Sequence, residues 1–136
     1  GNGWPPDKVY STMTPPPPHP ASSPPDPRYL AGIAFFNAGD FFEAHEVWEE
    51  LWHDCEPADR RFYQSLIQAA VALYHFGRGN REGACRLFAR GRAKSIGYPA
   101  VYRGLALGPF WHAVAGAIAG HPPPQILLTS PPRNGT

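Results

Sequence analysis

The fold is decided by residues 36–53, which read Phe36-Asn37-Ala38-Gly39-Asp40-Phe41-Phe42-Glu43-Ala44-His45-Glu46-Val47-Trp48-Glu49-Glu50-Leu51-Trp52-His53. On a helical wheel at about 100° per residue, the apolar side chains share one arc: Phe41, Ala44, Val47, Trp48, Leu51 and Trp52. The opposite arc carries acids and histidines: Glu43, His45, Glu46, Glu49, Glu50 and His53. This pattern predicts an amphipathic helix whose aromatic residues face the core.

Glycine and proline residues divide the surrounding sequence into further helices. We expect helices over residues 27–37, 40–54, 57–77 and 81–95, and two short ones that begin at Pro99 and Pro109. No stretch shows the alternation of apolar and polar residues that is typical of a strand. Short connections make successive helices antiparallel. The predicted fold is therefore all-α, a compact antiparallel bundle of about five to six helices.

Several residues have the character of helix starts. Asp40 with Glu43 resembles a capping box, in which each side chain satisfies a free backbone N–H group. Pro57 suits the first position of the third helix because its missing N–H group costs nothing there. Asn80 is predicted to cap the fourth helix.

The prolines delimit the domain. Ten of the 18 lie between Pro5 and Pro27, and five lie from Pro122 onward. Such runs favour extended or disordered chain. We therefore expect a proline-rich disordered tail over residues 1–27, a helical domain over 28–121 and a second such tail over 122–136. Met13 is a candidate natural start, and the sequence leaves open whether residues 1–12 are native.

The cysteine content and the lengths of the apolar runs indicate the cellular compartment. Only two cysteines occur, Cys55 and Cys85, without a CxxC pattern, which favours reduced thiols over a disulfide scaffold. No secretory signal is visible, and no apolar run reaches the length of a membrane span. We expect a cytoplasmic protein with no membrane partner.

The charges are unevenly distributed although the formal net charge is only +1. Eight acids and no Lys or Arg lie between Asp40 and Asp59, whereas nine bases and one acid, Glu82, lie between Arg60 and Arg103. We expect these bases to form solvated helix faces, some of them paired with the acidic helix. No basic-aromatic motif of a known nucleic-acid module is present, so nucleic acid is not the expected partner.

The polar arc of the second helix carries the candidate chemistry. His45, Glu49 and His53 follow one another at intervals of four, so their side chains share a face. Glu46 lies beside them. Imidazole and carboxylate ligands suit a divalent ion such as zinc, iron, manganese or nickel, and a carboxylate beside a histidine also suits acid–base work. The run His-Glu-x-x-Glu lacks the second histidine of the His-Glu-x-x-His motif and does not indicate a zinc protease.

Further ligands have to come from another helix. The best donors are on the third, where Gln64 and Gln68 are four residues apart and His75 lies two turns further on. The alternative is structural: the histidine, glutamate and glutamine side chains form a buried hydrogen-bond network. The protein would then be a non-catalytic scaffold that binds a protein partner or a second copy of itself.

Three motifs resemble one known family. They are Phe36-Asn37-x-Gly39-x-Phe41-Phe42-Glu43-Ala44-His45-Glu46-x-Trp48-Glu49-Glu50-Leu51-Trp52, Phe62-Tyr63-Gln64-x-Leu66-Ile67-Gln68-x-Ala70-Val71-Ala72-Leu73-Tyr74-His75 and Arg78-Gly79-Asn80-x-x-Gly83-Ala84. These runs closely resemble the bacterial and archaeal domain of unknown function 309. The resemblance covers roughly residues 29–107 and leaves out both tails.

The resemblance implies a compact multi-helical fold and a metal-binding role. The family signature is a histidine, three residues, a glutamate, two residues and then a tryptophan or tyrosine, which here falls on His45, Glu49 and Trp52. The resemblance does not imply a particular reaction. The sequence therefore favours a helical domain with a metal-binding or acid–base His/Glu site, with Glu43, Trp52, Gln64 and Gln68 supporting it, and leaves open whether the protein is an enzyme.

Overall fold

Five helices and one small hairpin make up the part of the chain that is described. The computed structural model describes residues 24–129, and the predicted disorder of residues 1–23 and 130–136 lies outside this range. The elements are α1 (Pro27–Asn37), α2 (Phe41–Asp54), a 3₁₀ turn (Pro57–Asp59), α3 (Arg60–Gly77), α4 (Arg81–Ser95), β1 (Val101–Tyr102), β2 (Leu105–Ala106) and α5 (Leu107–Ile118). The all-α, multi-helix prediction is confirmed.

The longest helix, α3, lies at the centre of the bundle. It packs against α2 on one side and α4 on the other, while α1 packs on α2 and α5 contacts both α3 and α4. Ten of its 18 residues are buried, which explains the nearly continuous apolar run from Leu66 to Leu73. Within the described range, no helix combines the length and the apolar character required to cross a lipid bilayer.

The aromatic face of α2 points into the core, as the wheel predicts. Ala44, Trp48, Leu51 and Trp52 are buried. The Trp48 indole N–H donates to the carbonyl oxygen of Tyr29 at 3.2 Å. A methyl group at Gly32 of α1 would overlap the same indole ring, so a glycine is needed for α1 and α2 to approach this closely.

Two of the three predicted helix starts are observed. The Asn80 side chain accepts a hydrogen bond from the Gly83 N–H at 2.9 Å and caps α4. Pro57 opens the 3₁₀ turn that leads into α3. Asp40 is the N-cap residue of α2, but its side chain makes no capping hydrogen bond, so the predicted capping box with Glu43 is wrong.

The region after α4 departs from the prediction. Pro99 begins no helix, and residues 101–106 instead form an antiparallel hairpin in which Val101 pairs with Ala106 and Tyr102 with Leu105. Its two-residue turn is Arg103-Gly104, with φ of 48° and 81°. Each strand has only two residues, too few for an alternating pattern to be visible in the sequence. Helix α5 then begins at Leu107, two residues before the predicted Pro109.

Residues 122–129 fall within the tail that the prolines predict to be disordered, but they lie against the helices. Ile126 is buried, and its backbone makes two hydrogen bonds with the Asn37 amide, at 2.7 and 3.0 Å. The Thr129 N–H donates to the carbonyl oxygen of Gly104 at 2.8 Å. This segment therefore connects the end of α1 with the hairpin.

Candidate functional site

The signature pair lies at the surface, at the edge of α2 that faces α3. His45 Nε2 is 3.1 Å from Glu49 Oε2. The His45 side chain is 23% exposed and that of Glu49 38%. One turn of helix separates the two residues, so the pair forms within α2 and needs no other element.

Aromatic side chains lie on one side of this pair, next to His45. The Phe42 ring lies 5.6 Å from the His45 ring and 5.8 Å from the Tyr74 ring of α3. The Arg78 guanidinium stands 5.6 Å from the centre of the Tyr74 ring. Phe42 is nevertheless 45% exposed. We call these five residues, Phe42, His45, Glu49, Tyr74 and Arg78, the α2–α3 patch.

The other predicted ligands do not join His45 and Glu49. His53 is exposed, and its ring packs 5.2 Å from that of Trp52. His75 lies at the end of α3, with its Nδ1 3.5 Å from the Asn80 amide nitrogen. Glu43 and Glu46 point to solvent. Across residues 24–129, no three His, Cys, Asp or Glu side chains are grouped so that they could hold a metal ion.

The predicted supporting residues of α3 are placed differently. Gln68 is buried, and its Cβ lies next to Gly91 of α4, close to the Trp111 ring. Its Oε1 has no hydrogen-bond partner among the described residues. Gln68 therefore packs towards α4 rather than towards the carboxylates of α2, while Gln64 is half-buried.

The third signature residue, Trp52, has a structural environment. It is buried, and the Arg60 guanidinium lies 4.3 Å from the centre of its ring. A guanidinium over an indole face is attracted by the negative π-surface. This contact joins the end of α2 to the start of α3, at the opposite end of α2 from Phe42.

A buried ion pair lies where the sequence predicted none. Asp59 is 3% exposed, and its carboxylate accepts from Arg103 Nε at 2.9 Å and Nη2 at 2.8 Å. The Tyr102 hydroxyl donates to the same carboxylate at 2.7 Å. Hydrogen bonding to Asp59 raises the pKa of Arg103, and burial raises that of Tyr102. This network holds the hairpin against the start of α3.

The same network borders a cavity of about 260 Å³. The Tyr29 hydroxyl donates to the Arg103 carbonyl oxygen at 3.0 Å. The residues around the cavity come from the segment before α1, from the end of α2 through the start of α3, and from the hairpin: Pro24, Asp26, Leu51, Asp54, Cys55, Glu56, Asp59, Tyr63 and Arg103. Neither His45 nor Glu49 is among them. In the sequence, only the Arg-Gly pair at 103–104 pointed to this network. A tight turn usually takes glycine, asparagine or aspartate, so an arginine at this place indicates that its side chain makes a specific contact.

Comparison with known proteins identifies the motif-bearing region. Residues 29–87 match the family model of the domain of unknown function DUF309. An uncharacterized protein of Bacillus subtilis (strain 168), YpuF, is 47% identical over 58 residues, which are 42% of this chain and 33% of YpuF.

A second relative is an uncharacterized protein of Aquifex aeolicus (strain VF5), 34% identical over 74 residues, which are 54% of this chain and 22% of the relative. The matched part of the chain therefore spans a third or less of each relative. The resemblance that the sequence motifs predicted is confirmed: residues 29–87 of the chain match the DUF309 family model.

Proposed function

We propose that this domain is a non-catalytic interaction module that binds a second copy of itself through the α2–α3 patch. The observation that carries this proposal is the position of Phe42. Its ring contacts two other rings yet keeps 45% of its surface exposed. Aromatic residues and arginine are enriched at the centres of protein interfaces.

The charges around Phe42 support a second copy as the partner. Glu46 and Glu49 lie on the α2 side of the aromatic rings, while Arg78 lies on the α3 side. In a two-fold dimer, the patch of one copy faces the same patch of the other copy in the opposite orientation. The patch therefore has to be complementary to itself. With a two-fold axis near Phe42, the acids of one copy face the arginine of the other.

The location of the signature pair also favours binding over catalysis. His45 and Glu49 face each other on the helix surface, whereas the cavity lies between the end of α2 and the hairpin. Catalytic groups usually converge on a concave pocket. A partly exposed histidine–glutamate pair beside the exposed ring of Phe42 is suited to contact with another protein.

Sedimentation velocity over a concentration series tests the proposal. The wild-type weight-average mass is expected to rise towards that of a dimer, and Phe42→Ala is expected to weaken the association at least tenfold. Ile96→Ala is the matched control, since Ile96 is 71% exposed and lies outside the patch. A wild-type protein that stays monomeric at high concentration, or equal weakening by both substitutions, would contradict the proposal.

A second candidate function is the binding of a divalent metal ion by His45 and Glu49. The 3.1 Å contact between Nε2 and Oε2 favours it, because the two donors already share one side of the helix. Both donor types suit zinc, iron, manganese or nickel. Residues 24–129 supply no third donor beside them, so further ligands have to come from water or from a second copy bound at the same patch.

Elemental analysis of protein purified without chelator or metal-affinity resin tests whether this site binds a metal ion. Near-stoichiometric metal in the wild type and in His53→Ala, but not in His45→Ala, would support it. Metal-free wild type, or retention of the metal by His45→Ala, would exclude this site. In either of those cases, sedimentation velocity alone tests the proposal of self-association.

A further inference from the structure

A stripe of positive charge runs along one side of α4. Arg86, Arg90 and Lys94 follow at intervals of four, which places them in a row along the helix. Arg61, in the first turn of α3, is exposed and acts on Lys94 electrostatically. We call Arg61, Arg86, Arg90 and Lys94 the α4 basic stripe.

This charge is poorly compensated within the described part of the chain. Arg86 lies 3.4 Å from Glu82, an exposed pair, and exposed pairs of this kind contribute little. Arg61, Arg90 and Lys94 make no ion pair with any residue between 24 and 129. Partial burial and the nearby charges of Arg90 and Arg61 lower the pKa of Lys94.

The acids of α2 do not neutralise the stripe. Asp54 pairs with Arg28 of α1 at 2.7 Å, and Glu49 pairs with His45 of its own helix. Both α2 and α4 pack on α3, so the acidic and basic helices flank it. The helix dipole favours cations in the last turn of α4, which accounts for Lys94, but it does not account for Arg86 and Arg90 further from the end.

We propose that the α4 basic stripe binds the phosphate backbone of a nucleic acid without reading its sequence. This inference goes beyond the self-association proposed above and rests on different residues. Charge alone, without base-stacking rings, is the pattern of sequence-independent backbone binding.

The surroundings of the stripe favour nucleic acid over a membrane or an acidic protein. Helix α4 is described over its whole length, and no large apolar side chain in it is exposed; the residue that follows it, Ile96, is the one exposed apolar side chain at the end of the stripe. A membrane-binding helix inserts apolar residues between lipids, and a protein interface usually has aromatic or apolar residues at its centre. A row of cations with a single apolar side chain at one end supplies neither a lipid-inserting face nor an apolar interface centre, so it fits a phosphate backbone better.

The size of the stripe limits the number of nucleic-acid phosphates that it can neutralise. Arg86 and Lys94 are eight residues apart, which corresponds to about 12 Å along the helix. A row of this length and the neighbouring Arg61 supply four cations, which can neutralise roughly three to four phosphates of a duplex. Each neutralised phosphate of duplex DNA adds about 0.9 to the salt slope, which is the steepness with which log affinity falls as log salt concentration rises. The affinity is therefore expected to fall about 40- to 150-fold between 50 and 200 mM salt.

Fluorescence anisotropy with a labelled mixed-sequence duplex of about 20 base pairs measures this binding at several salt concentrations. Wild-type protein is expected to bind at about 50 mM salt with the slope given above and to bind an unrelated sequence equally well. Arg90→Ala/Lys94→Ala is expected to reduce the slope by about two. Its melting temperature, measured in parallel, shows whether the variant is folded.

Arg81→Ala/Arg92→Ala is the matched control. These two arginines are eleven residues apart and lie on the other side of α4, and their removal changes the net charge by the same amount. The proposal requires the control to keep most of the wild-type slope. It is overturned if the wild type does not bind the duplex at low salt, or if both double variants lose the same affinity, since net charge alone would then explain the binding.

Discussion

At the residue scale, Arg103 shows how a single side chain fixes the hairpin. Its φ of 48° lies in the left-handed region, which costs a residue other than glycine of order 1 kcal/mol. Two hydrogen bonds to the buried Asp59 carboxylate and one from Tyr29 to its carbonyl oxygen hold it there. The side chain of arginine, rather than its backbone preference, explains its presence in this turn.

Breaking the Asp59–Arg103 pair is therefore expected to cost more stability than breaking an exposed ion pair. Asp59→Ala leaves the partly buried Arg103 guanidinium without its partner, which is expected to cost about 1–3 kcal/mol. Asp54→Ala, which removes an exposed partner of Arg28, is expected to cost less than about 1 kcal/mol. Urea unfolding of the two variants measures both values, and equal losses would show that the buried pair has no special role.

At the scale of elements, helix starts provide a matched pair of tests. Asn80 caps α4 through its side chain, whereas Asp40 stands at the start of α2 without a side-chain capping bond. Asn80→Ala is expected to lower the free energy of unfolding by about 1 kcal/mol, and Asp40→Ala by only a few tenths. Thermal or urea unfolding distinguishes them. A larger loss for Asp40→Ala would mean that the two caps are assigned the wrong way round.

The helices could be predicted because their signals are local. Pro27, Gly39 and Gly77 stand at or beside helix ends, and the predicted range of α1 agrees with the structure. The hairpin could not be predicted, because two-residue strands carry no periodicity and proline at 99 also favours a helix start. The Asp40–Glu43 spacing satisfies a capping box in sequence, but a capping bond also depends on the orientation of the side chain.

The site was predictable only in part for a similar reason. His45 and Glu49 form their pair within one helix, so spacing alone places them together. The position of Phe42 against Tyr74, and that of Asp59 against Arg103, depend on how helices and hairpin pack. Asp59 and Arg103 are 44 residues apart in the chain, and no local pattern links residues at that distance.

At the scale of the whole molecule, two buried phenols, one half-buried phenol and one half-buried thiol make the fold sensitive to alkaline pH. Burial raises the pKa of Cys55 from 9.0 to about 11 and also raises those of Tyr29, Tyr63 and Tyr102. The unfolded chain thus loses these protons at lower pH than the folded chain does. The stability they contribute is complete below about pH 9 and is lost as the pH rises through the folded values.

The melting temperature is accordingly expected to begin to fall above about pH 9 and to fall more steeply as the tyrosines of the unfolded chain ionise near pH 10. Cys55→Ser should delay the first part of this decline. Cys85→Ser is the control, because Cys85 is exposed. A melting temperature that stays constant from pH 8 to 11 would contradict the burial of these groups.

The central claim is that the α2–α3 patch pairs with itself about a two-fold axis, and a charge-exchange experiment tests it most directly. Glu46→Arg and Arg78→Glu should each weaken self-association, because like charges then face each other across the axis. Mixing the two variants matches the reversed charges of one with those of the other. Sedimentation velocity of the mixture should show a heterodimer that neither variant forms alone as a homodimer, whereas a mixture that remains monomeric would contradict the claim.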